Sequence, residues 1–220
     1  YEDITPWPLA ADGAGHSLYL ACPDFGEGFV EAWAASTFVW GSPGTADPET
    51  PDPLTAIRIN EILAHTDEPQ FDFVELFNTG PPIDISGCTL RRGPGTNSFV
   101  IPPGTFLPRA GFAVFSQTQM GFNIRSEGDE ILFGNPTGDR VIDAIRIPAQ
   151  VNGVSVGRYP DGAPDFHALS TLTPGSANAA SSLKIEDIVI NEIMYSPISN
   201  DDDDAYVELH NRGTGAVDIS

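Results

Sequence analysis

Two matching places in the sequence carry the same polar residues. The pair Asn60-Glu61 is followed by Glu75, and the pair Asn191-Glu192 is followed by Glu208. Calcium in proteins is held by several oxygen ligands, most often carboxylates. Carboxylates on neighbouring strands can supply such ligands, so Glu61 and Glu75 are candidate calcium ligands. Asp72, which lies just before Glu75, is a third candidate.

Glu75 also has a purely structural interpretation. On a strand it shares a face with Phe73 and Phe77, so we expect its carboxylate to be partly buried and paired. The alternative to calcium is therefore a carboxylate that accepts hydrogen bonds from the backbone or from Arg58. In that case Glu75 fixes the edge of the fold.

A run of four acidic residues follows the second copy of the Asn-Glu pair. It adds these calcium candidates: Asp201, Asp202, Asp203 and Asp204. The run lacks the alternating Asp spacing and the glycine of an EF-hand loop. A solvated hairpin tip is the competing interpretation.

The sequence offers no convincing catalytic centre. The histidines lack metal-binding spacing; they are His16, His65, His167 and His210. Gly153-Val-Ser-Val-Gly157 fits a nucleophile elbow literally, but no helix follows it. We therefore predict no catalytic residue, no enzyme activity and no cofactor other than the candidate calcium.

Charge and composition exclude several classes of partner. The chain has 10 basic and 31 acidic residues, a net charge of −21, yet 40% of its residues are hydrophobic. A chain this acidic is repelled by phosphate, which argues against nucleic acid. No apolar run approaches the roughly 20 residues that span a bilayer, so we expect no membrane insertion. Cys22 and Cys88 can form one bridge or stay free.

Several segments of the sequence occur twice in the same order. Residues 56–62 recur 131 positions later at 187–193, and residues 73–78 recur at 206–211. Residues 41–47 match residues 172–178, and Gly15-His-Ser-Leu18 matches Gly153-Val-Ser-Val156. Matches in several blocks at nearly one spacing indicate internal repeats.

The repeats predict one complete unit flanked by two partial units. Residues 1–47 are the end of a preceding unit, 48–54 a proline-rich linker, and 55–178 the complete unit. Residues 179–184 form a second linker, and 185–220 are the opening strands of a following unit. We expect the chain to be part of a longer array.

Hydrophobic patterning predicts an all-β protein. Short apolar or alternating runs lie between turns rich in Gly and Pro, which is typical of a sandwich or barrel. The predicted strands are 56–63, 71–77, 88–92, 97–101, 111–116, 130–134, 140–147 and 154–159. The phenylalanines on these strands are expected in the core: Phe71, Phe73, Phe77, Phe99, Phe112, Phe115 and Phe133.

The order of these motifs resembles the lamin tail domain of bacterial and archaeal extracellular proteins. The resemblance covers residues 56–178, and residues 1–47 and 185–220 resemble the domain's end and start. It implies an immunoglobulin-like β-sandwich without catalytic residues. Leu20 stands where the family pattern, and Arg158 in the complete unit, have an arginine.

Two functions are compatible with this sequence. The first is a non-enzymatic structural or interaction module, a repeat unit of an extracellular stalk, filament or surface-layer protein. Its expected partners are neighbouring repeat units or copies of itself, joined by strand addition at the partial units. The alternative is an accessory domain that targets a secreted hydrolase to polysaccharide or cell wall.

Overall fold

The apolar segments form short antiparallel strands in the computed structural model, which describes residues 6–48, 51–93, 97–179, 187–199, 201–217 and 219. One short helix, α1, accompanies them. The strands are β1 His16–Leu20, β2 Trp33–Val39, β3 Ile57–Leu63, β4 Phe73–Asn78, β5 Ile83–Asp84, β6 Thr89–Arg92, β7 Ser98–Val100, β8 Phe106–Leu107, β9 Phe112–Ser116, β10 Gly128–Gly134, β11 Val141–Pro148, β12 Val156–Arg158, β13 Phe166–Ala168, β14 Ile188–Met194 and β15 Tyr206–Asn211; α1 is Gln117–Met120.

All eight strands predicted within the complete unit are present, with small differences at their ends. Strands β5, β8 and β13 were not predicted, because two or three residues are too few to show an alternating pattern. The prediction for Phe71 was wrong. Strand β4 begins only at Phe73, and Phe71 lies outside it with 50% of its surface exposed.

Two sheets make up most of the fold. The strand order is β13-β12-β3-β4-β9 in one and β11-β10-β6-β7 in the other. A single cluster of buried apolar side chains draws on both sheets, with Ile59 and Leu76 from the first and Leu90 and Phe133 from the second. The protein is therefore mainly β, with antiparallel sheets that share one core.

A β-bulge interrupts the pairing of β3 with β4. Ile59 pairs with Leu76 and Glu61 pairs with Glu75, so Asn60 is the extra residue on β3. A bulge redirects side chains and bends the strand. Here it leaves Asn60 and both carboxylates fully buried.

The hairpin β1–β2 packs along β11, the edge strand of the second sheet. Val39 N donates to the carbonyl oxygen of Asp139 at 2.8 Å, and Val141 N donates to Nε2 of His16 at 3.0 Å. Nδ1 of His16 must then carry the ring proton, which it donates to the carbonyl oxygen of Ser36 at 2.7 Å. These bonds cover an edge that would otherwise present free backbone groups.

Strands β14 and β15 form a separate hairpin. Described residues up to 179 belong to one compact unit and those from 187 onward to a second. Ile190 pairs with Leu209 and Glu192 pairs with Glu208, with a bulge between Ile190 and Glu192. The register and the bulge are those of β3 and β4, 131 to 133 positions earlier (59 to 190 and 76 to 209).

Candidate functional site

The buried carboxylate of Glu61 is fully hydrogen-bonded by the protein. Ser155 Oγ donates to Oε1 at 2.5 Å, and Thr173 Oγ1 donates to Oε2 at 3.0 Å. Thr173 N also donates to Oε1, at 3.2 Å. A buried carboxylate requires such bonds, and here Ser155, just before β12, and the loop 172–178 provide them.

Glu75 is held by two donors on opposite sides. Asn60 Nδ2 donates to Oε1 at 3.0 Å, and Gly175 N donates to Oε2 at 2.7 Å. The pKa of Glu75 is raised to about 7, mainly by burial; the hydrogen bonds from Asn60 and Gly175 lower it, and the nearby charges of Glu61 and Asp161 add to the rise. Glu75 thus accepts one backbone and one side-chain hydrogen bond, as in the structural interpretation of the sequence. The side-chain donor is Asn60, however, and not Arg58.

Asn178 closes the network from the other side. Its Nδ2 donates to the carbonyl oxygens of Asn60 at 3.1 Å and Arg158 at 2.8 Å. Thr173 Oγ1 lies 2.9 Å from Asn178 Oδ1, so its single hydrogen is shared between Asn178 and Glu61. Asn178 N donates to Asp161 Oδ1 at 3.0 Å. Residues from four separately repeated segments thus meet at one place. We refer to Asn60, Glu61, Glu75, Ser155, Thr173, Gly175 and Asn178 as the carboxylate network.

One hydrogen bond of loop 172–178 recurs in residues 41–47, which match that loop in sequence. Asp47, the counterpart of Asn178, accepts from Thr37 N at 2.8 Å and from Thr37 Oγ1 at 2.6 Å. Ser42, the counterpart of Thr173, donates to Asp47 at 3.2 Å. Burial of Asp47 acts to raise its pKa, but hydrogen bonds from Thr37 and Ser42 outweigh it and lower the pKa. The loop 41–47 therefore repeats the folding of loop 172–178 locally.

An ion pair that sequence reasoning missed joins the two sheets. Arg158 on β12 lies 3.1 Å from Asp143 on β11, and both side chains are largely buried. Arg158 Nε also donates to the carbonyl oxygen of Ile59 at 2.7 Å, and Ile59 N donates to Asp143 at 2.8 Å. Burial raises the pKa of Asp143, against the opposing effect of Arg158. The only sequence signal was Arg158 itself, because Asp143 lies in no repeated segment.

Asp72 lies away from the carboxylate network and organises a loop region. Thr66 Oγ1 donates to Oδ1 and Ile124 N donates to Oδ2, each at 3.0 Å. Gln117 N donates to the backbone carbonyl of Asp72 at 2.8 Å. The carboxylate is 4% exposed, so its hydrogen-bonding capacity is used within the fold.

The acidic run at 201–204 forms the tip of the hairpin β14–β15. Residues Asp202–Asp204 make a 3₁₀ turn, in which Asp204 N donates to the carbonyl oxygen of Asp201 at 3.1 Å. Asp203 N donates to the Asp201 side chain at 3.1 Å, and Ser199 Oγ donates to Asp204 at 2.5 Å. The tip is exposed where the structure describes its side chains, as a solvated turn requires.

The structure brings together only some of the calcium candidates. Glu61 and Glu75 face each other across β3 and β4, whereas Asp72 belongs to a different loop region. Among the residues that the structure describes, no group of three or more His, Cys, Asp or Glu side chains is arranged to hold a metal ion. Calcium binding by these carboxylates stays a prediction.

Two of the three other nucleophilic side chains singled out from the sequence, Ser155 and Cys88, are buried. Ser155, the serine of the elbow-like stretch, is fully buried with its hydroxyl on Glu61. Both cysteines are free; Cys22 is exposed and Cys88 is buried. Burial raises the pKa of Cys88 to about 11, with smaller contributions from the charges of Asp52 and Asp84, so its thiol stays protonated at neutral pH.

Comparison with protein-family models, with curated proteins and with solved structures finds no match to this chain. Within the described ranges, none of the helices has the length and apolar character that crossing a membrane would require.

Proposed function

We propose that this protein is a non-enzymatic structural module of an extracellular or cell-surface array, built from immunoglobulin-like β-sandwich units of the lamin-tail type. The proposal rests on one observation: the polar groups of the repeated residues form hydrogen bonds with one another. Glu61, Glu75 and Asn60 are fully buried and hydrogen-bonded within the fold. Such groups hold a shape and leave no reactive atom for a substrate.

The sandwich assignment is supported by the arrangement of the sheets. Five strands and four strands contribute to one apolar core, and every strand pair is antiparallel among the residues described. Two antiparallel sheets over a common core are the defining feature of this architecture. The identical bulge in β3–β4 and β14–β15 supports its repetition along the chain.

Neighbouring units or further copies of the chain are the proposed partners. The contact of the hairpin β1–β2 with β11 illustrates how one unit can follow another, because residues up to 47 match the end of the complete unit. Sheet edges that keep free backbone groups can accept a strand in the same way. The strong negative charge keeps such an array dispersed in solution.

Stretching single molecules tests the mechanical role. With the 220-residue chain tethered at both ends, we expect residues 55–178 to unfold in one cooperative step that releases roughly 400 Å of chain. A series of small low-force steps would contradict a load-bearing unit. Further copies of the repeat in the flanking gene sequence would support the array, whereas an attached catalytic domain would support the accessory role.

The accessory role is favoured by one separate observation. An open cavity of about 460 Å³ lies between the loop after β3 and the segment after α1, and Phe71 is half-exposed beside it. A polar cavity with an exposed aromatic side chain is a feature that a binding domain needs and a pure spacer does not. A ligand-binding function of the complete unit is therefore the second candidate.

A further inference from the structure

The cavity has walls that are fixed before any ligand arrives. Asp72 connects them, because its side chain accepts from Thr66 on one wall and from Ile124 N on the other. Its backbone carbonyl accepts from Gln117 N, at the start of α1. A preformed cavity binds with less loss of conformational entropy than one that must be ordered. We call this cavity the Asp72 cleft.

Several side chains that line the cleft are unused by the fold. Phe71 presents half of its surface to solvent. The side-chain amides of Gln70, Gln117 and Asn123 line the cleft and have no hydrogen-bond partner in the part of the chain that the structure describes. An amide offers both donors and an acceptor. The cleft therefore presents one aromatic surface, surrounded by amides that can donate hydrogen bonds to hydroxyls or accept hydrogen bonds from them.

Charge and polarity narrow the class of ligand. The cleft includes Glu68 and Glu127, and the arginine in its lining, Arg125, is already paired with Asp129 at 2.9 Å. With a chain charge of −21 as well, a phosphate or other anionic ligand is disfavoured. The lining is more polar than apolar, which disfavours a lipid or another wholly apolar ligand. The remaining class is neutral, rich in hydroxyls and apolar on one face, which describes a sugar ring.

We propose that the Asp72 cleft binds a neutral polysaccharide. One sugar ring lies against Phe71, whose ring face attracts the positively polarised C–H groups of the sugar. The amides of Gln70, Gln117 and Asn123 donate to and accept from its hydroxyls. This inference rests on the second candidate function, and its outcome is independent of the stretching experiment that tests the array.

Two residues of the cleft region are not repeated in the hairpin β14–β15. At the matching positions of the second hairpin, Phe71 is replaced by Asp204 and Asp72 by Ala205. Asp204 instead accepts a hydrogen bond from Ser199 within the hairpin tip. The shared hairpin geometry therefore does not require these two residues.

Affinity electrophoresis in native gels tests the proposal. The full chain is run through gels containing β-glucan, xylan, galactomannan or dextran, and through gels containing polyanionic alginate. We expect retardation by at least one neutral polysaccharide and none by alginate. Phe71→Ala should reduce the affinity by about tenfold or more, and Gln117→Ala should reduce it less.

Phe29→Ala is the matched control, because Phe29 is also an exposed phenylalanine and lies far from β3 in the sequence. It should be retarded like the unsubstituted chain. Both replaced rings are exposed, so equal melting temperatures confirm that all three proteins are folded. Lack of retardation by every neutral polysaccharide would overturn the proposal. Equal retardation of the Phe71→Ala variant and the unsubstituted chain would overturn it as well.

Discussion

The hairpins β3–β4 and β14–β15 have one geometry and two environments. Both place a bulge between an isoleucine and a glutamate, and both pair an asparagine in the bulge with a glutamate on the next strand. Ile59 and Ile62 are completely buried, whereas Ile190 and Ile193 are 61% and 54% exposed. Local sequence is therefore sufficient for the register and the bulge, and the burial comes from elsewhere.

The difference lies in what the rest of the complete unit adds to β3. Strand β12 pairs with β3 through Gly157 and Glu61, and loop 172–178 donates to both buried glutamates. Gly157 is required there, because a Cβ would lie 2.8 Å from the carbonyl oxygen of Asn60. The Asn-Glu motif thus forms a buried network only where β12 and loop 172–178 pack against it.

The largest expected effect comes from removing the guanidinium group of Arg158. This group joins β12 to β11 and also binds β3 of the hairpin β3–β4. Arg158→Leu, which introduces the residue found at the matching position Leu20, leaves Asp143 buried without its partner. We expect a loss of about 3–5 kcal/mol in the free energy of unfolding, measured by urea denaturation. Arg109→Leu, at an exposed arginine, is the control. A loss below 1 kcal/mol would contradict a structural role for the ion pair.

The pH dependence of stability should distinguish the two hairpins next. The folded pKa of Glu75 is about 7 and its ordinary value is 4.5, so the folded state binds the extra proton between these values. The stabilisation by this proton is fully present below pH 4.5 and is lost as the pH rises through 7. The free energy of unfolding then falls by about 3 kcal/mol at most. Urea denaturation at pH 5, 6, 7 and 8 measures this slope.

Two glutamine variants isolate the contribution of Glu75 from other titrating groups. Glu75→Gln should flatten the decline in stability between pH 5 and pH 8, whatever its effect on absolute stability. Glu208→Gln, at the exposed counterpart on β15, should keep the slope of the unsubstituted chain. Equal slopes in all three proteins would show that Glu75 is ionised throughout this range.

Much of the strand pattern could be predicted from the sequence, because alternation and Gly-Pro turns are local signals. The segments of the carboxylate network were also visible, since Asn60, Ser155 and Thr173 lie in repeated segments. Their convergence was not predictable, because Thr173 reaches Glu61 across 112 positions. Asp143 and Asp161 gave no repeat signal, since neither lies in a repeated segment.

Phe71 shows why the strand pattern alone did not reveal the cleft. Its position two residues before Phe73 suggested one continuous strand with both rings in the core. The backbone turns before this point, with Gln70 N donating to the carbonyl oxygen of Asp67 at 3.0 Å, and β4 starts later. Asp72 then points inward to Thr66 and Ile124. The turn itself is local, but the inward position of Asp72 depends on the bond from Ile124 N, 52 positions away, which no short sequence window contains.

The smallest expected effect is also the most direct comparison of the two bulges. Asn60→Ala removes donors to Glu75 and Asp161 and the acceptor for Gly162 N, all in buried or partly buried positions. We expect a loss of about 2 kcal/mol in the urea-unfolding free energy of the complete unit, because buried groups lose their partners. Asn191→Ala removes the matching bond to Glu208 at an exposed site, where water replaces it, and should change stability by less than about 0.5 kcal/mol. Equal losses in the two variants would mean that the asparagine stabilises the bulge by itself. The buried network would then follow from the bulge and contribute little to holding it.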